Sequence, residues 1–92
     1  MPLQSRVGII TGAARGIGRA CAQAFLEARA GGVVIADIDE GAGVEAAQAL
    51  DPSGKRAVFA KLDVTKKADH ERVVAETVER FGRLDILVNN AG

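Results

Sequence analysis

Val7-Gly8-Ile9-Ile10-Thr11-Gly12-Ala13-Ala14-Arg15-Gly16-Ile17-Gly18 decides how the rest of the chain is read. A short unbroken apolar run ends in a glycine-bearing turn, and a helical period starts directly after it. Ile17, Ala20, Cys21, Ala24, Phe25 and Ala28 recur at i, i+3, i+4 spacing, with Arg19, Gln23 and Glu27 on the opposite face. A strand, a glycine turn and a helix in that order aim free helix N–H groups at whatever fills the turn. A pyrophosphate reaches the positive end of a helix only where the turn is tight, the backbone approachable and the helix close to the strand. Glycine meets each need because it has no Cβ. The spacing is G-x-x-x-G-x-G rather than G-x-G-x-x-G, and no Gly-Lys-Ser/Thr follows, so this is not a P-loop. Glycines alone leave open a strand-to-helix turn without a ligand.

Outward from this stretch, apolar runs and helical stretches alternate as β-α-β-α-β-α-β. Residues 6–10, 33–37, 57–62 and 84–89 read as strands. Their runs are mostly continuous rather than alternating, which suits parallel strands covered on both faces. Gly31-Gly32 is expected to end the first helix. A second helix over about residues 41–50 carries Gly41 and Gly43, each costing about 1 kcal/mol relative to alanine, and Asp39 is its expected N-cap. Asp51-Pro52-Ser53-Gly54 punctuates the chain before the third strand. After Thr65, an expected N-cap, the stripe His70, Val73, Val74, Thr77, Val78 and Phe81 predicts a long helix that stops at Gly82. Strands joined through helices of about 10 residues or more make right-handed crossovers. The expected fold is α/β, a doubly wound Rossmann-type parallel sheet of order 3-2-1-4, incomplete on its last side.

Composition excludes several classes. The 92 residues hold 12 Lys+Arg against 12 Asp+Glu, a formal charge of zero that offers no field for nucleic acid or an anionic membrane. Apolar runs such as Val33-Val34-Ile35-Ala36 fall far short of the roughly 18 residues that span a bilayer. Cys21 has no partner for a disulfide, and no Cys/His cluster has zinc spacing, so no metal site is expected. The first residues carry no basic and apolar secretory pattern, and a cytoplasmic protein is expected. With no Tyr in the chain, mechanisms that need a phenol have no candidate here, and Ser5 and Ser53 are the only serines.

The other strand ends supply the polar residues. Asp37 closes the second strand nineteen residues after Gly18, at the carboxyl edge where such sheets bind ligands. A carboxylate there can accept hydrogen bonds from both hydroxyls of an adenosine ribose. It would repel a 2′-phosphate: two unit charges about 4 Å apart at an effective dielectric near 20 cost roughly 4 kcal/mol. Asp37 therefore favours NAD over NADP, while Arg15, a guanidinium in the phosphate loop, argues the other way. Asp63-Val64 follows the third strand, where Asp63 could accept from an adenine amino group. Asn89-Asn90-Ala91-Gly92 follows the fourth, where the Asn pair could tie neighbouring strand ends and Ala91 and Gly92 leave room for a nucleoside. Each alone is more often a turn residue; together with the glycine loop they form a dinucleotide constellation.

In these motifs the chain resembles the short-chain dehydrogenase/reductase family over its whole length. The match comprises Thr-Gly-x-x-x-Gly-Ile-Gly at 11–18, the acidic Asp37, Asp63-Val64, the approach Phe81-Gly82-Arg83-Leu84-Asp85-Ile86-Leu87-Val88, and Asn-Asn-Ala-Gly at 89–92. The resemblance implies an NAD(P)-dependent oxidoreductase that moves hydride between a nicotinamide cofactor and an alcohol or ketone carbon. Residues 1–92 would be the N-terminal half of its NAD(P)-binding Rossmann domain. It implies that Gly12, Gly16, Ile17 and Gly18, with Arg15 beside them, hold the pyrophosphate. Asp37 would then hold the adenosine ribose, Asp63 and Val64 the adenine, and Asn90, Ala91 and Gly92 the ribose side of the pocket.

The family's catalytic Ser, its Tyr-x-x-x-Lys pair and an assisting Asn lie beyond the Asn-Asn-Ala-Gly turn, so no residue of this chain is expected to be catalytic. His70 sits on an apolar helical stripe and does not replace them. These 92 residues alone are expected to be inactive, since a positioned acid/base group by itself contributes about 10²- to 10⁴-fold in rate. The expected partner of the complete enzyme is a small alcohol or ketone. A homo-oligomer is expected, or self-association through the edge of the fourth strand, which only Asp85 guards. The alternatives are a non-catalytic dinucleotide-binding or interaction module, and an inactive fragment.

Overall fold

In a computed structural model that describes residues 4–90, the chain forms strands β1 (Val7–Thr11), β2 (Gly32–Asp37), β3 (Ala57–Lys61) and β4 (Ile86–Val88). Helices α1 (Gly16–Glu27), α2 (Glu40–Leu50) and α3 (Lys67–Phe81) connect them. These four strands pair in parallel and their order is β3-β2-β1-β4, as the alternation of apolar runs and crossover helices predicts. Every residue of β1 is buried, and β2 is buried up to Asp37. This is why their runs are continuous: successive side chains point to opposite faces, and both faces are covered. Ile10, Val33 and Ile35 pack with Ala22, Ala46 and Ala47 on the α1–α2 side, while Ile9, Val34 and Ala36 meet Leu62 and Val73 on the α3 side. Each fully buried Ile or Val contributes about 1.5–3 kcal/mol of apolar burial.

Three local expectations are corrected. Gly31-Gly32 does not end α1. The left-handed residue is Arg29, at φ 66, with Arg29 N–H donating to Leu26 O and Ala30 N–H to Phe25 O, each at 3.0 Å. That is the paired bond pattern of a Schellman ending, built on an arginine where glycine is usual. Nor does Thr65 cap α3. Lys66 holds the N-cap position without a side-chain bond. The Thr65 hydroxyl instead donates to Asp63 Oδ1 at 2.6 Å, closing a local turn. Asp85, finally, is not a solvated guard of the sheet edge. Its carboxylate accepts from Val7 N–H at 2.9 Å and takes both Arg83 Nε and Nη2 at 2.8 Å, with Arg6 Nη1 at 3.3 Å. Arg83, then the Val7 amide, hold this carboxyl well below the usual range. Asp85 thus clamps the entry to β4 against β1, its N–H also donating to Val7 O at 2.9 Å, and β4 begins after it, at Ile86. Asp39 and Gly82 do act as expected: Asp39 Oδ1 accepts from Ala42 N–H at 3.1 Å, and Gly82 ends α3 at φ 80.

All three phenylalanines lie over glycines. A Cβ on Gly8 would stand 2.6 Å from Phe25 Cε2, and one on Gly32 would stand 2.5 Å from Phe81 Cε1. A Cβ on Gly43 would collide with the Phe59 ring. These pairs seat α1 on β1, α3 on β2, and α2 on β3. The last explains how α2 forms despite two glycines: the missing Cβ lets the Phe59 ring in, and that burial offsets the propensity cost.

The loop from α2 to β3 hangs on Asp51. Its Oδ1 accepts from Ser53 Oγ at 2.6 Å and Ser53 N–H at 3.1 Å, and its Oδ2 from Arg56 N–H at 2.7 Å and Ala57 N–H at 3.2 Å. The Ser53 hydroxyl first, then the Arg56 amide, lower this carboxyl to about 2. A carboxyl lowered by folding stabilises the fold above its unfolded pKa, near 3.9, and that contribution disappears as pH falls through the folded value. Stability is therefore expected to fall between about pH 4 and pH 2 in part through this residue. Asp51→Asn is expected to lower stability at pH 7 by about 1 kcal/mol, allowing for solvent screening. It should also flatten that acid limb in urea melts taken across the range; an unchanged acid limb counts against the assignment.

Candidate functional site

Parallel register brings the carboxyl ends of all strands to one edge: Thr11 lies opposite Ala36, Asp37 opposite Lys61, and Ile10 opposite Val88. The glycine turn leaves β1 at this edge. Gly12 N–H donates to Ala36 O at 2.8 Å, and Gly12 and Gly16 adopt φ of 65 and 62, conformations that L side chains strain to reach. These two reversals carry the chain across the end of β2 and into α1. Ile17 is 82% exposed, so its side chain is not what fixes the turn.

Gly18 serves a different need. A Cβ there would lie 2.5 Å from Gly12 O, 2.7 Å from Asn90 Nδ2 and 3.0 Å from Ala13 Cα. The first turn of α1 can lie against the loop only because that atom is missing. The head of α1 leaves its first N–H groups without intrahelical acceptors. Arg15, at the N-cap, supplies no capping side chain, and the first turn carries no acidic residue. Open N–H groups with no carboxylate among them make this helix end a fit for an anion such as a pyrophosphate.

Asp37 joins this loop directly. Its Oδ2 accepts from Ala14 N–H at 3.1 Å and its Oδ1 from Asp39 N–H at 3.0 Å. The carboxylate is thereby fixed between the glycine loop and the start of α2, half-buried at the end of β2. Arg15 Nη2 donates to Asp39 Oδ2 at 2.8 Å. The Ala42 amide and then Arg15 hold the Asp39 carboxyl below its ordinary value, and Asp39 raises Arg15.

At the third strand end, Asp63 Oδ1 accepts from Thr65 N–H at 2.9 Å as well as from the hydroxyl, and these contacts lower the carboxyl. Asp63 N–H donates to Asp69 Oδ2 at 2.9 Å, which docks the turn on α3. Val64 is 39% exposed, with His70 Nε2 3.1 Å from its carbonyl oxygen. His70 is thus a boundary residue that braces this turn. At the fourth strand end, Asn90 N–H donates to Thr11 Oγ1 at 3.0 Å and Asn90 Nδ2 to Gly12 O at 3.2 Å. Ala91 and Gly92 lie outside the described residues.

The expected site residues that the structure describes therefore lie along one edge of the sheet: Gly12, Arg15, Gly16, Ile17 and Gly18 on the loop, Asp37 and Asn90 bonded to it, and Asp63 and Val64 at the end of β3, bonded within their own turn and to α3. Two contributors were not singled out from sequence. Thr11, fully buried, receives the Asn90 amide and donates to Val88 O at 3.3 Å, joining the two strand ends beneath the loop. Its signals are a hydroxyl closing an apolar strand and its place at the head of the Thr-Gly-x-x-x-Gly-Ile-Gly motif. Asp39 has a second role beside its cap, holding Arg15. A concavity of about 600 Å³ lined by Val58, Val73, Thr77 and Phe81 lies towards the opposite edge, where Phe81 covers Gly32, and takes no part in this arrangement. Among the described residues no group of three His, Cys, Asp or Glu could hold a metal ion, and no helix is long and apolar enough to cross a membrane.

Residues 6–92 match the family model described as short chain dehydrogenase. The chain belongs to this family. Among curated relatives, the short-chain dehydrogenase chain is 50% identical over 91 residues to galactitol 2-dehydrogenase of Agrobacterium fabrum, covering 99% of this chain and 34% of that protein. It is 48% identical over 87 residues to L-fucose dehydrogenase of Oryctolagus cuniculus, covering 95% of this chain and 29% of that protein. The chain thus spans about a third of the length of the curated relatives it matches. A solved short-chain dehydrogenase/reductase from Burkholderia phymatum, in complex with NAD, superposes with a TM-score of 0.87 at 30% identity. That superposition covers 95% of this chain and 31% of the other. Family membership and this superposition agree with the Rossmann-type parallel sheet described above.

Proposed function

We propose that this chain is the cofactor-binding portion of an NAD-dependent oxidoreductase, acting in the complete protein on an alcohol or ketone. The N–H groups at Gly16, Ile17 and Gly18 receive the pyrophosphate, and Arg15 borders it. Asp37 accepts from the adenosine ribose hydroxyls, Asp63 and Val64 border the adenine, and Asn90, followed by Ala91 and Gly92, lines the ribose side. The nicotinamide, when bound, supplies the hydride donor or acceptor. The residues of this chain bind and orient the cofactor, and none of them is assigned a catalytic role.

The observation that carries this reading is the Asp37 carboxylate, which is fixed by the Ala14 and Asp39 amides beside the open head of α1. A negative charge held there favours a ribose with free hydroxyls and disfavours one bearing a 2′-phosphate. The complex of the Burkholderia phymatum relative with NAD supports the same choice. Titration of the complete protein with NADH and NADPH, followed by nicotinamide fluorescence, tests it. NADH is expected to bind at least about tenfold more tightly; equal or tighter binding of NADPH overturns the reading.

A further inference from the structure

Arg15 poses a problem for any site that selects against a 2′-phosphate. It follows Ala14, whose N–H is bound to Asp37, so its long side chain starts beside the carboxylate that would face the ribose. A guanidinium is the side chain best suited to grip a phosphate, through paired N–H donors of fixed geometry. Its side chain is 69% exposed, so packing does not restrain it. Left free, Arg15 would offset the repulsion that Asp37 exerts.

Asp39 removes this conflict. Its Oδ1 is committed to the Ala42 amide at the start of α2, and its backbone N–H to Asp37 Oδ1. These two bonds orient the carboxylate so that Oδ2 faces the glycine loop, where it takes Arg15 Nη2 at 2.8 Å. We propose that Asp39 is a positioning residue for cofactor discrimination, committing the Arg15 guanidinium to its own carboxylate so that it does not serve a ribose 2′-phosphate beside Asp37. The inference rests on the assignment of Asp37 to the adenosine ribose. It divides selectivity between two carboxylates: Asp37 repels the phosphate, and Asp39 withholds the cation that would attract it. An exposed ion pair is a weak restraint, so the expected effect is on the order of fivefold.

The test is a double-mutant cycle on the complete protein, reading dissociation constants for NADPH and NADH by nicotinamide fluorescence. Asp39→Asn keeps an oxygen for the Ala42 amide, since asparagine is an equally good N-cap, but loses the charge that holds Arg15. NADPH binding is expected to tighten about fivefold while NADH binding stays within about twofold. The same substitution on an Arg15→Ala background is expected to leave the ratio of the two constants unchanged. A ratio unmoved by Asp39→Asn overturns the proposal. So does an undiminished gain on the Arg15→Ala background, which would mean that Asp39 acts on the phosphate directly. Asp39→Ser, another capping residue without charge, is expected to match Asp39→Asn, and a loss that falls equally on both cofactors in both variants marks a merely structural role and also overturns it. Failure of the Asp37 assignment is separately visible, because it shows in the wild-type preference before any substitution.

Discussion

Gly18→Ala is expected to abolish dinucleotide binding, raising the dissociation constant for NADH by about 10²-fold or more. The added methyl group would meet Gly12 O at 2.5 Å, Asn90 Nδ2 at 2.7 Å and Ala13 Cα at 3.0 Å. Two of these atoms are backbone, and the Asn90 amide is itself fixed by its bond to Gly12 O. No flexible side chain can swing aside, so the head of α1 must move away from the loop. A displacement approaching 1 Å in groups that position a ligand costs on the order of 10²-fold. Gly16→Ala separates fit from strain. Nothing lies within 4 Å of a Cβ at Gly16, so the cost there is that of a left-handed backbone, about 1–2 kcal/mol. The expected order of NADH affinity is wild type, then Gly16→Ala, then Gly18→Ala. Melting curves of each variant separate a moved loop from an unfolded chain. Unaltered NADH affinity in a folded Gly18→Ala protein would remove the loop from the site.

Asp37→Ser is expected to change the ratio of NADPH to NADH affinity by about 10²-fold in favour of NADPH. Repulsion between a fixed carboxylate and a 2′-phosphate about 4 Å away is roughly 4 kcal/mol at an effective dielectric near 20, and solvent at this edge reduces it. The ratio is the informative quantity because Asp37 has two structural bonds as well. Serine can replace at most one of the contacts to the Ala14 and Asp39 amides, so the loop loosens and both cofactors lose some affinity. Only the charge effect acts on them in opposite directions. A ratio that stays put after the substitution would show that Asp37 does not face the ribose.

Most of the topology was legible because β1 and β2 are buried on both faces. That condition writes itself as unbroken runs of Val and Ile. The helical periods located α1 and α3 but not their buried faces: Ile17, Ala20 and Ala24 of the expected α1 stripe are exposed while Gly18 and Ala22 are buried, and Val74 and Val78 of α3 are exposed beside buried Val73 and Thr77. The site was legible for a related reason: parallel strands deliver their carboxyl ends to one edge, so the residue after each run became a candidate by position. What escaped was everything decided by a distant partner. Gly31-Gly32 looked like a helix stop because glycine usually is one. Their actual constraints come from the Ser5 backbone, against which a Gly31 Cβ would press at 3.0 Å, and from the Phe81 ring over Gly32. Asp85 read as a surface charge, since nothing in its neighbourhood of sequence announces Val7 N–H and Arg6. Thr65 read as a cap because its preference for that position is real, yet Asp63 competes for the same hydroxyl one residue too early.

The three phenylalanine–glycine contacts also constrain the history of this sequence. Enlarging Gly8 or Gly32 while the opposing ring is present means displacing an aromatic side chain, an overpacking error that typically costs about 1–3 kcal/mol. Shrinking the ring first leaves a cavity instead, a cost incurred but one that a later methyl group can fill. The order of substitution is therefore not free: lineages diverging from this chain are expected to lose the aromatic before they gain a side chain at its glycine. Pairs far apart in the chain, such as Gly32 and Phe81, should then vary together as if they were one position.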